Sequence, residues 1–395
     1  MKLQHLLFSG LLLIGAYYVA VEVLQVVQLS GSFCGGNVIT IKSSSSQNNW
    51  AADQYSDIDD ERTGTIYEPS APEDYLIHNL TKLGMGGNSW TSTCHIWKKD
   101  GGMPTEQFHQ MQAFLPELKA HYDRIKAFRF TNFDPLKMDI RRAPQGDAVC
   151  DEIDRGMGGS DLSQLFNKSK ILSKTSTNGY VEPLLSPLRH PLFCQNMNKY
   201  LLDIDYLIHD FGNTCRHLRK NTHARTVFVD MGASLAFHGK ETSPAIVVMD
   251  LWRKFGIQFD HIYAFEYTKQ DPQFVFNAIP DHYKSAYHWY NVGVTSDELG
   301  DQNPWNILLE NFRPDDLIVV KLDIDTPSLE SELVNQLLNN PKLHSLVDHF
   351  YFEYHHRQAE LQRWWRSSGD HATVKQSFEL FYQLRQKGIA AHSWV

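Results

Sequence analysis

The stretch Leu317-Ile-Val-Val-Lys321-Leu-Asp323-Ile-Asp325-Thr326-Pro327 is an apolar run that stops on two carboxylates and a helix start. Lys321 apart, residues 317–322 are all aliphatic, the composition of a strand buried on both faces. Thr326-Pro327 then opens a helix over residues 328–338, because proline lacks an N–H that the first turn would leave unpaired. The same arrangement recurs upstream. Residues 226–229 run into Asp230-Met-Gly232, residues 260–265 into Glu266, and residues 287–292 into Gly293. Ser243-Pro244 opens a helix over 245–256, and Asp271-Pro272 opens one over 273–279. Strands and helices alternating in this way predict an α/β fold with a doubly wound, mostly parallel sheet. Ligands in such sheets bind beyond the carboxyl ends of the strands. Asp230, Gly232, Glu266, Gly293, Asp323 and Asp325 all fall there.

Asp348-His-Phe-Tyr351-Phe-Glu353-Tyr-His355-His356 reads as the next strand, with Tyr351, Glu353 and His355 on one side by alternation. Asp323 and Asp325 share a side if their own strand continues past Leu322. Side by side, the two strands would converge Asp323, Asp325, Glu353 and His355, a set able to act as a general base or to ligate a divalent metal. Asp323 alone could instead cap the helix that follows. Residues 358–365 and 373–387 read as helices, the second closed by Gly388, and residues 389–395 as a last strand.

The 395 residues, 42% of them hydrophobic, suffice for a sizeable core, and the formal charge of −9 argues against a nucleic-acid binder. Residues 1–29 carry an apolar run that reads as a signal anchor or a cleaved signal peptide. With Lys2 on the cytoplasmic side, the body lies in the lumen of the Golgi or endoplasmic reticulum as a single-pass membrane protein, or is secreted if the segment is cleaved. Residues 30–71, rich in Ser, Asn, Gly and Asp, read as a flexible stem. Residues 72–221 form a helical or irregular accessory subdomain, with an amphipathic helix over 105–128, a polar Gly-rich stretch over 147–159 and a helix over 197–218. Residues 222–395 hold the sheet. Asn79-Leu-Thr81 and Asn167-Lys-Ser169 are glycosylation acceptors. Of the five cysteines, Cys94, Cys150, Cys194 and Cys215 allow two disulfides in an oxidising lumen.

From residue 226 to the C-terminus the chain resembles the FkbM-type branch of class I S-adenosylmethionine-dependent methyltransferases. Asp230-Met-Gly232-Ala-Ser234 resembles that family's first cofactor motif, Asp-Val-Gly-Ala-Asn. Phe265-Glu266 resembles the strand end whose acid holds the ribose, Asn291-Val-Gly293-Val the strand near the adenine, and Lys321-Leu-Asp323-Ile-Asp325 the family's Lys-Ile-Asp-Val-Glu. The resemblance implies a Rossmann-like methyltransferase fold. It also implies cofactor contacts from Asp230, Gly232, Ser234, Glu266, Asn291 and Gly293, and methyl transfer to an oxygen of a glycan or small hydroxyl acceptor. The base lies among Asp323, Glu353 and His355. Three departures stand out: the family's second motif glycine is absent after Ser234, about a dozen residues separate Asp230 from the helix start at Ser243, and Thr326-Pro327 replaces the family's Gly-Ala. Two other functions fit the same residues. Asp323 and Asp325 can hold Mn2+ and a nucleotide sugar, as in a Golgi-type glycosyltransferase, and an altered pocket suits a non-catalytic lumenal binding protein.

Overall fold

The computed structural model describes residues 67–158, 170–171, 179–186, 188–190, 192–201, 203–235, 243–366 and 371–393, which belong to one compact unit. The predicted anchor, most of the stem, Cys34 and Asn167 lie outside the described residues. Among the described residues, no helix is long and apolar enough to cross a membrane.

Three two-residue strands, β1 (Tyr67–Glu68), β2 (Lys170–Ile171) and β3 (Gly179–Tyr180), form a small antiparallel sheet. The main sheet has six strands: β4 (Thr226–Met231), β5 (His261–Phe265), β6 (Tyr287–Tyr290), β7 (Leu317–Leu322), β8 (Val347–Phe352) and β9 (Ala390–Ser393). Their order is β6-β5-β4-β7-β8-β9, and every pairing is parallel. The chain builds outward from β4 through β5 to β6, then crosses back to β7 on the other side of β4. That reversal makes a topological switch point, with a crevice beyond the carboxyl ends of β4 and β7.

Burial explains why apolar residues run without a break in β4 and β7. Val227, Val229 and Met231 join Ile318, Val320 and Leu322 in one core cluster, while Phe228, Leu317 and Val319 belong to a second on the opposite face. Helices Pro327–Asn339 and Val374–Gln386 cover the first face through Leu333, Leu337, Phe378 and Phe381. Helices Pro244–Lys254 and Phe211–Lys220 cover the second through Val248, Trp252, Phe211 and Leu218. The expected proline starts hold, with Ser243, Asp271 and Thr326 as N-caps. Asn303-Pro304 and Asn340-Pro341 begin two further helices by the same chemistry.

Elements before residue 221 share these cores: Met111 and Leu118 of helix Thr105–Ala127 lie in the first, and Ile125 of the same helix in the second. Two stretches fold differently from the sequence expectation. The stretch at 147–159 is helix Ala148–Met157, whose Val149, Ile153 and Met157 are buried at four-residue steps, with Gly158 at φ 114° ending it. The expected helix over 197–218 breaks into Met197–Tyr200 and Phe211–Lys220, because the Asp210 carboxylate accepts from Asn213 N and starts a new helix there. Disulfides join Cys94 to Cys194 and Cys150 to Cys215, with Cα separations of 5.4 and 5.6 Å.

Candidate functional site

Asp230 on β4 and Lys321 on β7 face each other directly across the parallel pair. Both are buried, and Lys321 Nζ lies 3.0 Å from Asp230 Oδ1, 3.3 Å from Asp323 Oδ2 and 3.1 Å from the Gly232 carbonyl. An ammonium has three protons, and here each meets an acceptor, so the charge is fully satisfied within the core. Burial alone would lower the Lys321 pKa, but the two aspartates outweigh it and hold the side chain charged. The ion pair thus ties the end of β4 to the end of β7.

Gly232 sits at φ 97°, and a Cβ there would come within 1.7 Å of the Asp323 carbonyl oxygen. Only glycine allows the two strand ends to approach so closely. Gly232 N and Ala233 N both donate to Phe265 O, and Asp323 N donates to Met231 O. The floor of the switch point is therefore backbone held to backbone.

Above this floor opens a cavity of about 910 Å³. It gathers Gly232, Ser234, Glu266, Gly293, Asp323, Asp325, Glu353 and His355 from separate strand ends. Its apolar walls include Phe265, Val292, Ile324, Leu329, Leu361, Trp364 and Trp365. Four carboxylates and one histidine line it, and none of the described lining residues is Lys or Arg.

Glu353 follows β8, and its N–H donates to Leu322 O on β7. Trp365 Nε1 donates to Glu353 Oε1 at 2.9 Å, and His355 Nε2 lies 3.3 Å from Glu353 Oε2. Burial and the nearby Asp323 charge push the Glu353 carboxyl up to about 8. Burial works against protonation of His355, but Glu353 more than offsets it and raises the imidazole. The two titrate as a pair that retains a proton at neutral pH. Such a pair at a cavity wall is a candidate general acid or base.

The structure separates residues that look equivalent in sequence. Asp230 does not line the cavity; it lies behind the wall, engaged by Lys321. Asn291 is also absent from the lining, because its side chain clamps the loop after β5: Nδ2 donates to Glu266 O and Thr268 O, and Oδ1 accepts from Gln270 N. Tyr351 points to the opposite face, where its hydroxyl accepts from Trp252 Nε1 at 3.1 Å. The pairing of Asp323 with Asp325 presumed a continuing strand, whereas β7 ends at Leu322. Asp325 adopts φ 54° and its side chain is 81% exposed, 3.8 Å from His355 Nε2. Nor does Asp323 cap the next helix, since Thr326 holds the cap position and Asp323 turns back to Lys321. Asp325, Glu353 and His355 bring ligand atoms within 4.8 Å of one another, a geometry compatible with a metal.

Two contributors were not anticipated. The Trp364-Trp365 doublet forms a wall of the cavity, and adjacent tryptophans on a short polar segment were the available signal. Glu330 is buried beneath the site, accepting from Ile324 N at 2.9 Å and pushed up to about 7 by burial. It holds the turn that carries Asp325. Against known proteins, no family model, curated protein or solved structure matches the chain.

Proposed function

We propose that this protein is a divergent S-adenosylmethionine-dependent methyltransferase of Rossmann-like fold, acting on a hydroxyl of a glycan or small acceptor. The charge of the cavity carries the reading. Glu266, Asp323 and Asp325 face it, beside the Glu353–His355 pair, without a Lys or Arg among the described lining residues. That field favours a ligand bearing a sulfonium and an ammonium over a nucleotide diphosphate, whose phosphates need cationic partners.

The donor set fits the cofactor. Glu266, at the end of β5, would accept from a ribose diol, Gly293 and Val292 would flank the base, and Gly232 and Ser234 would line the floor. The volume suits a ligand of that size. Bound there, S-adenosylmethionine supplies an electrophilic methyl group. His355 would take the proton from the acceptor hydroxyl, the Asp325 carboxylate 3.8 Å away would face the resulting imidazolium, and Trp365 would fix Glu353 through its N–H. The two disulfides fit an oxidising compartment, and residues 1–29 would serve as a signal anchor that holds the body in the lumen, or as a cleaved signal peptide that releases it.

A second reading has one observation in its favour. The Asp325, Glu353 and His355 group could hold a divalent cation that masks the phosphates of a nucleotide sugar. Calorimetry on the full-length protein in detergent separates the readings. S-adenosylmethionine is expected to bind without metal, and Glu266→Ala to weaken it about tenfold, the worth of one charge-assisted hydrogen bond. Binding of a nucleotide sugar only with Mn2+ would replace this reading with the transferase of sugars. Binding of neither by the folded protein would leave a non-catalytic binding protein.

A further inference from the structure

On the face of the sheet away from the cavity, three buried histidines meet beneath β8 and β9. We propose that His209, His349 and His392 form a zinc-binding site.

The sheet register brings two of them together. Tyr351 pairs with His392 across β8 and β9, so His349, two residues earlier, lies diagonally opposite His392 on the same face. Their rings stand side by side, His349 Nδ1 lying 3.1 Å from His392 Nε2. His209 immediately precedes Asp210, the N-cap of helix Phe211–Lys220, and its ring stacks on His349 and lies tilted against His392, 4.8 Å away between centroids. One ring nitrogen of each histidine lies within 4.8 Å of the others. A tetrahedral zinc ion holds its nitrogens about 2.0–2.1 Å away, so they sit roughly 3.4 Å from one another. Small ring rotations close the gap.

The surroundings favour a metal over a mere hydrogen-bonded cluster. Both carboxylate oxygens of Glu182 lie 3.0 Å from His392 Nδ1. That contact puts the proton on Nδ1, leaves Nε2 as a lone pair, and makes the carboxylate–histidine arrangement that orients metal-bound imidazoles. Arg385 Nη2 in turn fixes Glu182 at 2.8 Å. His209 Nε2 meets the Tyr351 hydroxyl, while His209 Nδ1 is buried and has no hydrogen-bond partner. A buried ring nitrogen left unmatched is costly unless something else satisfies it. On binding, the proton between His349 and His392 moves to the other nitrogen of His349, so that three neutral imidazoles face the ion. Imidazole donors without a thiolate suit zinc among the abundant divalent ions. His209 also lines a second pocket of about 330 Å³ with Asp210 and Arg216, which gives the ion a way in.

The ion would fasten the segment before residue 210 to the last two strands. The test is elemental analysis of full-length protein carrying no polyhistidine tag, dialysed against zinc and then against metal-free buffer. One zinc per chain is expected, together with the visible absorption of a tetrahedral complex when cobalt(II) replaces it. His392→Gln and His349→Gln should each lower zinc to below about a tenth of an equivalent, whereas His355→Gln and the exposed His78→Ala should retain it. Folded wild-type protein without zinc and without cobalt absorption would overturn the proposal, whatever the variants do. So would zinc that His355→Gln removes and His392→Gln leaves, which would move the ion to the cavity.

Discussion

Two buried glutamates, Glu182 and Glu353, respond to burial in opposite ways. Glu182 sits in a closed cluster: Arg385 donates to its side chain and its carbonyl, Ile208 N donates to it, and His392 lies beside it. Burial works against its charge, yet His392 and Arg385 hold its carboxyl down at about 2. Glu353 sits at the cavity wall with Asp323 nearby, its closest cationic partner being His355 with Arg189 further off, and burial drives it up to about 8. Pairing, not depth, decides which carboxylate is structural. The unbalanced one lies where a ligand can complete it.

The largest expected effect tests the closed cluster. Arg385 also contacts Tyr67 Oη, the Ala391 carbonyl and Glu73, itself buried and accepting from Ser70 N and Leu184 N. Arg385→Met strands two buried carboxylates, and about 3–5 kcal/mol of stability should be lost in denaturant unfolding. A loss under about 1 kcal/mol would mean that Glu182 and Glu73 do not depend on the guanidinium, and the contrast with Glu353 would collapse. Next in size is Gly232→Ala. The added methyl meets the Asp323 carbonyl at a φ that alanine resists, and about 3 kcal/mol should be lost, with the cavity floor displaced.

The same contrast marks what was legible beforehand. Four strand ends carrying polar or small residues revealed the sheet, because a strand buried on both faces changes composition sharply where it emerges. Asp, Ser and Thr before proline gave three helices, and asparagine in the same position gave two more that went unread. Which acid faces a ligand was not legible. Asp230 and Glu266 both end a strand, yet Asp230 lies opposite Lys321, and only the register of β4 against β7 shows that. Arg385 and Glu182 are 203 residues apart, so no local pattern links them. The histidines at 209, 349 and 392 were three among many until parallel pairing of β8 with β9 set two of them side by side.

A pH titration of stability sharpens the comparison. For Glu182 the folded pKa is depressed, so its contribution is present above the ordinary value of about 4.3 and disappears as pH falls towards 2. For Glu353 the folded pKa is raised, so the native state holds the proton more tightly than the unfolded chain. Stability therefore declines as pH rises from about 4.3 to about 8 and stays reduced above it. Glu353→Gln removes that decline. Thermal unfolding should find the variant gaining steadily on wild type as pH rises from about 4 to about 8, with no further gain above that. If wild type and variant run parallel across that range, Glu353 is already ionised in the native state and the cavity is less unbalanced than its geometry implies.

The smallest effect belongs to Asp325→Gly, and its smallness carries the meaning. Asp325 has a left-handed backbone at φ 54° and an exposed side chain, with its carboxylate 3.8 Å from His355 Nε2. Glycine relieves the backbone strain but gives the unfolded chain more freedom, two terms of about 0.5–1 kcal/mol that nearly cancel. An exposed ion pair adds little. Stability should stay within about 0.5 kcal/mol of wild type, and S-adenosylmethionine affinity should fall by less than in Glu266→Ala, because the Asp325 carboxylate is exposed and screened. Manganese would alter this outcome. If Mn2+ stabilises the wild type and not the variant, Asp325 is a ligand completed by Glu353 and His355, and the carboxylates at the cavity are balanced by a metal rather than by a cationic cofactor.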